Sequence, residues 1–182
     1  MTEGWVPRGN RHNPSSWLRR TPLIALALVG CGIATYLAAY QVAAIPGVWD
    51  PAFGRGSEVI LTSWVSRSLP IPDAALGAVA YLLDAVTGAI GGQGRWRTMP
   101  WIVLVFGLIV AGLATASMVL VIAQPLLFHT GCTLCLVSAA ISFTSAWFAR
   151  DEVQASLQHL SRARAPGFGR RMESSDTRRT AA

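Results

Sequence analysis

Residues 98–149 read TMPWIVLVFGLIVAGLATASMVLVIAQPLLFHTGCTLCLVSAAISFTSAWFA, a run of 52 positions without one Asp, Glu, Lys or Arg. A helix crosses the hydrocarbon core of a bilayer with about 20 mostly apolar residues. The run is therefore far too long for one span and right for two joined by a tight turn. That turn is expected at residues 124–131, QPLLFHTG, where breakers and polar groups cluster. Spans three and four then cover about 101–123 and 132–148. Upstream, no charge stands between Thr21 and Trp49, and residues 23–42 read as the first span. The remaining candidate, residues 73–90, is small and apolar apart from Asp84. The expectation is an all-α integral membrane protein built as a four-helix transmembrane bundle.

Composition agrees. Of 182 residues 52% are hydrophobic and only 13% charged, which excludes a disordered chain, a coiled coil and an ordinary cytosolic globule. All fifteen basic residues are Arg, and they flank the apolar runs, so the net charge of +6 points to membrane topology and not to nucleic acid. Arg8, Arg11, Arg19 and Arg20 precede span one, Arg95 and Arg97 lie between spans two and three, and Arg150 with six more follows span four. Only Arg55 and Arg67 fall on the other side. Both termini are thus expected in the cytoplasm of a multi-pass, bacterial-type inner-membrane protein. Trp17, Trp49, Trp96, Trp101 and Trp147 stand near span ends, as an interfacial belt requires. The first apolar run exceeds the 7–15 residues of a signal-peptide core and no small-x-small site follows it, which argues against cleavage.

Three segments follow: an N-terminal arm, residues 1–20; the transmembrane domain, 21–150; and an Arg-rich tail, 151–182. The start of that tail either prolongs helix four or, like the rest, is expected to lack fixed structure. Between spans one and two, residues 56–67 (GSEVILTSWVSR) set Ile60 against Trp64 and Leu61 against Val65 at i, i+4 spacing. They read as a short amphipathic helix in the outer loop. Small residues in span one (Ala27, Gly30, Ala34, Ala38) and span three (Gly107, Ala111, Gly112, Ala116, Ser117) offer rows for close helix packing.

The sharpest chemical feature is Cys132-Thr133-Leu134-Cys135, directly after the Thr130-Gly131 break. Spacing i, i+3 puts both sulfurs on one helical face within bridging distance. A helix N-terminus stabilises a thiolate, and the outer side of the membrane permits disulfides. The pair reads as a redox dithiol, as an inert structural disulfide, or as two small buried residues. His129 either holds the thiolate or faces water at the interface. Those three residues lack a fourth ligand, so no metal is expected. Asp84 is an intramembrane carboxylate that reads as a proton relay, as a side chain snorkelling toward the cytoplasmic interface, or as a partner for Arg95 or Arg97. Asp73 is either the cap of helix two or a polar group addressing a ligand. Cys31, alone in span one, reads as a small hydrophobe.

The whole arrangement resembles the vitamin K epoxide reductase family of quinone-coupled thiol oxidoreductases. The resemblance runs from about residue 23 to 150 and is specific at SEVILTS, residues 57–63, and LPIPDAALG, residues 69–77. It implies that Cys132 and Cys135 are the catalytic pair, exchanging electrons with a quinone of ubiquinone or menaquinone type held in the bundle. Asp73 stands where a family Asn contacts the quinone, and Ser63 matches a Ser at the pocket rim. An exported thioredoxin-like protein or a membrane-complex subunit is the implied protein partner. Family enzymes also carry a second Cys pair in the outer loop; here Ser57 fills the second of those positions, and a hydroxyl cannot undergo thiol–disulfide exchange. Ala139 occupies the site of a quinone-bonding Tyr in some relatives. A non-catalytic membrane subunit, with Cys132–Cys135 as a structural clip and a lipid or quinone pocket, is the alternative expectation.

Overall fold

A computed structural model describes residues 13, 15–67 and 70–164 of the chain. Arg8, Arg11, Leu69 and the tail from residue 165 onward lie outside the described residues. Within them every regular element is helical: α1 (Trp17–Gln41), α2 (Gly56–Leu61), α3 (Trp64–Arg67), α4 (Asp73–Ala89), α5 (Arg95–Thr98), α6 (Pro100–Ala123) and α7 (Thr133–Arg164). A π-helical turn, Gln124–Phe128, extends α6, and His129 closes it in the left-handed region at φ 51°. Among the described residues three helical stretches are long and apolar enough to cross a membrane: Trp17–Gln41, Pro100–Phe128 and Thr133–Ser161. The helix at the second expected span, α4, has 17 residues. That length gives about 25 Å of rise, short of the roughly 30 Å core.

Helix α1 packs chiefly on α4, and α6 on α7. Of the small residues in span one, Ala27, Gly30 and Ala34 are buried. Gly30 is required there, because a Cβ would stand 2.7 Å from the Tyr81 ring. The row expected on α6 holds at Gly107, where a Cβ would stand 2.6 Å from Val153, and at Ser117, bonded to Ser142 at 3.1 Å. It is corrected at Ala111, Gly112 and Ala116, which are exposed; the buried line is Val103, Phe106 and Val110. With apolar residues all round α6, composition alone could not mark the inner face.

At one end of the bundle two guanidinium groups finish α4. Arg20 donates to the carbonyls of Gly88, Gly91 and Ile90, and Arg95 to those of Thr87, Gly88 and Ile90. These are the carbonyls a helix C-terminus leaves without intrahelical partners, carrying its partial negative charge. Arg95, 1% exposed, also forms a two-pronged pair with Glu152, at 2.5 and 2.7 Å, and Ser15 donates to the same carboxylate. Of the readings of Asp84, pairing with Arg95 is excluded by this geometry, since Arg95 is committed to Glu152. Helix α7 therefore runs without interruption across residue 150, burying Glu152, Ala155 and Ser156. Trp96 leaves the expected interfacial belt for the same reason. It is buried edge-on against His159 of the α7 extension, with ring centroids 5.9 Å apart, whereas Trp17, Trp49, Trp101 and Trp147 are exposed.

The outer segment also differs from a single amphipathic helix. It breaks at Thr62–Ser63 into α2 and α3, which turns Trp64 to 70% exposure while Ile60 and Leu61 are buried.

Candidate functional site

Cys132 stands at the head of α7, where its carbonyl accepts the first helical bond, from the Leu136 N–H at 3.0 Å. Cys132 and Cys135 are joined as a disulfide, with Cα atoms 5.2 Å apart. The Cys135 N–H donates to the Cys132 sulfur at 3.1 Å, so an amide of the helix N-terminus already faces the atom that would carry charge on reduction. The two sulfur residues are not equivalent. Cys132 is fully buried, whereas Cys135 is half-buried against an apolar cluster that contains Leu37, Val48 and Leu61.

The outer loop lies on this turn. Asp50 accepts hydrogen bonds from the Ser57 hydroxyl (2.6 Å), the Ser57 N–H (3.2 Å), the Phe53 N–H (3.1 Å) and the hydroxyl of Thr133. Thr133 sits between the cysteines, so one carboxylate ties the loop, the start of α2 and the Cys-x-x-Cys turn together. Burial raises the Asp50 carboxyl. The four bonds outweigh that effect and hold it at about 2. Gly56 packs directly on the Gly131 carbonyl, and the Phe53 ring covers Gly131. Tyr36 of α1 anchors the loop further by accepting the Trp49 N–H at 3.0 Å.

His129 is exposed. The buried contact to the cysteine turn comes instead from Gln124, whose Oε1 accepts the Cys132 N–H at 2.9 Å. Among the described residues no three His, Cys, Asp or Glu side chains converge as metal ligands.

A cleft of about 630 Å³ opens between the end of α1, the α2–α3 break and the start of α4. Its walls mix Ile45, Pro46 and Leu61 with Tyr40, Gln41 and Ser66. Asp73 is placed behind this wall, with its Oδ1 taking bonds from Gln41, Ser66 (2.8 Å) and the Ala74 N–H (2.9 Å). Asp73 is the first residue of α4, whose cap position is Pro72 and not Asp73 as expected, and its carboxylate is part of a polar knot. Ser63 accepts the Ser66 N–H at 3.4 Å and joins the same knot from the other side. The cysteines do not line the cleft. Leu61 stands between, lining the cleft and packing in the cluster that holds Cys135.

Residues 21–150 match the model of the vitamin K epoxide reductase family. This chain belongs to the vitamin K epoxide reductase family. The match covers most of the protein and ends two residues before Glu152, so the Arg95–Glu152 pair reaches beyond the family's shared segment. Comparison with curated proteins found no match. Family membership makes the chain a membrane protein of the general thiol–quinone oxidoreductase type. The lining of the cleft is mixed, with Tyr40, Gln41, Thr62 and Ser66 as polar groups among apolar ones.

Sequence reasoning missed Asp50, Thr133 and Gln124. Gln124 did carry a readable signal, an amide side chain ending an apolar run just before the cysteines.

Proposed function

We propose that this protein is a quinone-coupled thiol–disulfide oxidoreductase of four membrane spans, with both termini in the cytoplasm and Cys132–Cys135 as its redox pair. The observation that carries the reading is the burial difference at the disulfide: Cys132 is enclosed beneath the loop, and Cys135 is the more accessible residue. A thiolate of an external dithiol attacks the Cys135 sulfur, the Cys132–Cys135 bond breaks, and Cys132 leaves as a thiolate beside the Cys135 N–H. The partner's second thiol then displaces Cys135. The partner ends as a disulfide and the pair as a dithiol. Returning the pair to a disulfide releases two electrons and two protons, which is what a quinone takes up on becoming a quinol. Tyr40, Gln41 and Ser66 are the groups that would hold such a head, with Asp73 and Ser63 fixing Ser66 and Gln41 from behind; Leu61, which lines the cleft and packs with Cys135, must move aside for the pair to reach it. Asp50 and Thr133 keep the loop closed over Cys132 and exclude water. The partner is a thioredoxin-like exported protein or a subunit of a membrane complex, able to reach Cys135 without loop cysteines. Four spans need α4 to cross; it does so at 17 residues if the bilayer thins locally or flanking residues reach the interface.

A second reading, a non-catalytic subunit with a structural clip, is favoured by the complete burial of Cys132 under a latched loop that has no cysteine. Single-cysteine trapping separates the two. With attack at Cys135, Cys132→Ser retains a thiol that captures a partner as a mixed disulfide, and Cys135→Ser captures far less. No capture by either variant favours the structural clip.

A further inference from the structure

Gln124 opens the π-helical turn that delivers the chain from α6 to the cysteines. Wide turns of this kind are often kept at functional positions. Its side chain is 3% exposed, and only one end of its amide is used. The Oε1 accepts the Cys132 N–H at 2.9 Å, which fixes the amide's orientation. The Nε2 is buried and has no hydrogen-bond partner among the described residues. Native folds rarely leave a buried amide donor unused without a reason.

The disulfide state explains why the donor waits. A disulfide sulfur is a poor acceptor, and the Cys132 sulfur already receives the Cys135 N–H. Reduction changes that sulfur into a thiolate in a site closed to water, where each additional donor counts strongly. Asp50 on the overlying loop bonds Thr133 beside Cys132 and opposes a thiolate there electrostatically. Glu58 on α2 is paired with Arg55.

We propose that Gln124 is a positioning residue of the redox pair: it clamps the Cys132 backbone through Oε1 and supplies Nε2 as a donor to the Cys132 thiolate once the disulfide opens. This rests on the reading of the pair as redox-active. In the step concerned two electrons from an external dithiol enter the pair and the S–S bond breaks. Cys135 takes one of the dithiol's two protons, the other passes to solvent, and Cys132 remains a thiolate held by Gln124 and the Cys135 N–H. The dithiol leaves as a disulfide. By stabilising the reduced form, Gln124 raises the pair's reduction potential.

The test equilibrates the purified full-length protein in lipid nanodiscs with dithiothreitol redox buffers, followed by acid quench, denaturation and alkylation read by mass. Gln124→Glu keeps the accepting oxygen, removes the donor and adds a negative charge. Gln124→Met removes both functions at similar volume. Both variants are expected to shift the equilibrium toward the disulfide by about tenfold, or about 30 mV for a two-electron couple. The pH at which the wild-type midpoint changes slope should also move upward in both. If the wild-type pair opens and both variants titrate as the wild type does, Gln124 is a backbone clamp only and the proposal is overturned. If the wild-type pair never opens under excess dithiothreitol, the redox reading fails and this inference falls with it.

Discussion

The Thr133 hydroxyl donates to the Asp50 carboxylate, across 83 positions of sequence. Through that bond the outer loop is fastened to the residue between the two cysteines. Ser57 is drawn into the same arrangement by donating to Asp50. The loop carries no cysteine and keeps a polar contact to the Cys-x-x-Cys turn.

Replacing Asp50 tests the fastening. Asp50→Ala strands the Thr133 and Ser57 hydroxyls and frees the loop, with an expected loss of about 3 kcal/mol for bonds to a charged group. After reduction Cys132 should be alkylated faster in native membranes than in the wild type. Unchanged alkylation would mean the loop is held elsewhere.

The same latch has a defined acid limit. Its carboxyl is held at about 2, below the ordinary 3.8, by hydrogen bonds that outweigh burial. A carboxyl lowered by folding contributes stability that is complete above its unfolded value and is lost as pH falls through its folded value. Hydrogen-exchange protection of residues 50–57 should therefore persist from neutral pH down to the unfolded value and disappear between there and the folded value. Asp50→Asn should lack that transition. A wild-type loop that loosened near neutral pH would contradict the assignment.

Gly56 and Gly131 give a contrasting pair. A methyl on Gly56 runs into the Gly131 carbonyl oxygen and meets Thr130 Oγ1 at 2.6 Å. A methyl on Gly131 meets the Phe53 ring at 2.6 Å, but that side chain is 42% exposed and has room to swing. Gly56→Ala should cost about 3 kcal/mol, the upper end for overpacking, and Gly131→Ala about 1 kcal/mol or less. Thermal unfolding in detergent would rank them, and the reverse order would show that the loop rests differently on the turn.

Much of the fold was legible because long uncharged runs in a Lys-free, Arg-punctuated chain have few other readings. The cysteine turn was legible for the same local reason. The split between α2 and α3 was not: i, i+4 spacing paired Ile60 with Trp64, but the break at Thr62–Ser63 reorients everything after it. Asp50–Thr133 and Arg95–Glu152, 57 positions apart, were hidden because each partner alone looks like ordinary loop or tail chemistry. Only packing brings them together.

The second of those pairs predicts a large effect outside the family's shared segment. Glu152→Ala leaves Arg95 buried and without its counter-charge, a change that costs about 3–5 kcal/mol. Glu152→Gln, which keeps an acceptor, should cost less. Ending the chain after Arg150 should act like Glu152→Ala. Protein level in membranes and thermal unfolding would report this, and a fully stable Glu152→Ala protein would show the pair to be dispensable.

The most direct measurement of the central claim is the redox state of Cys132 and Cys135 in membrane vesicles, read by alkylation mass shifts after reduction with a membrane-permeant dithiol and its removal. Addition of a ubiquinone or menaquinone analogue should return the pair to the disulfide, and Cys132→Ser should abolish that return. A pair that resists reduction, or that stays reduced when quinone is added under anaerobic conditions, would contradict the account and leave the disulfide as a structural clip.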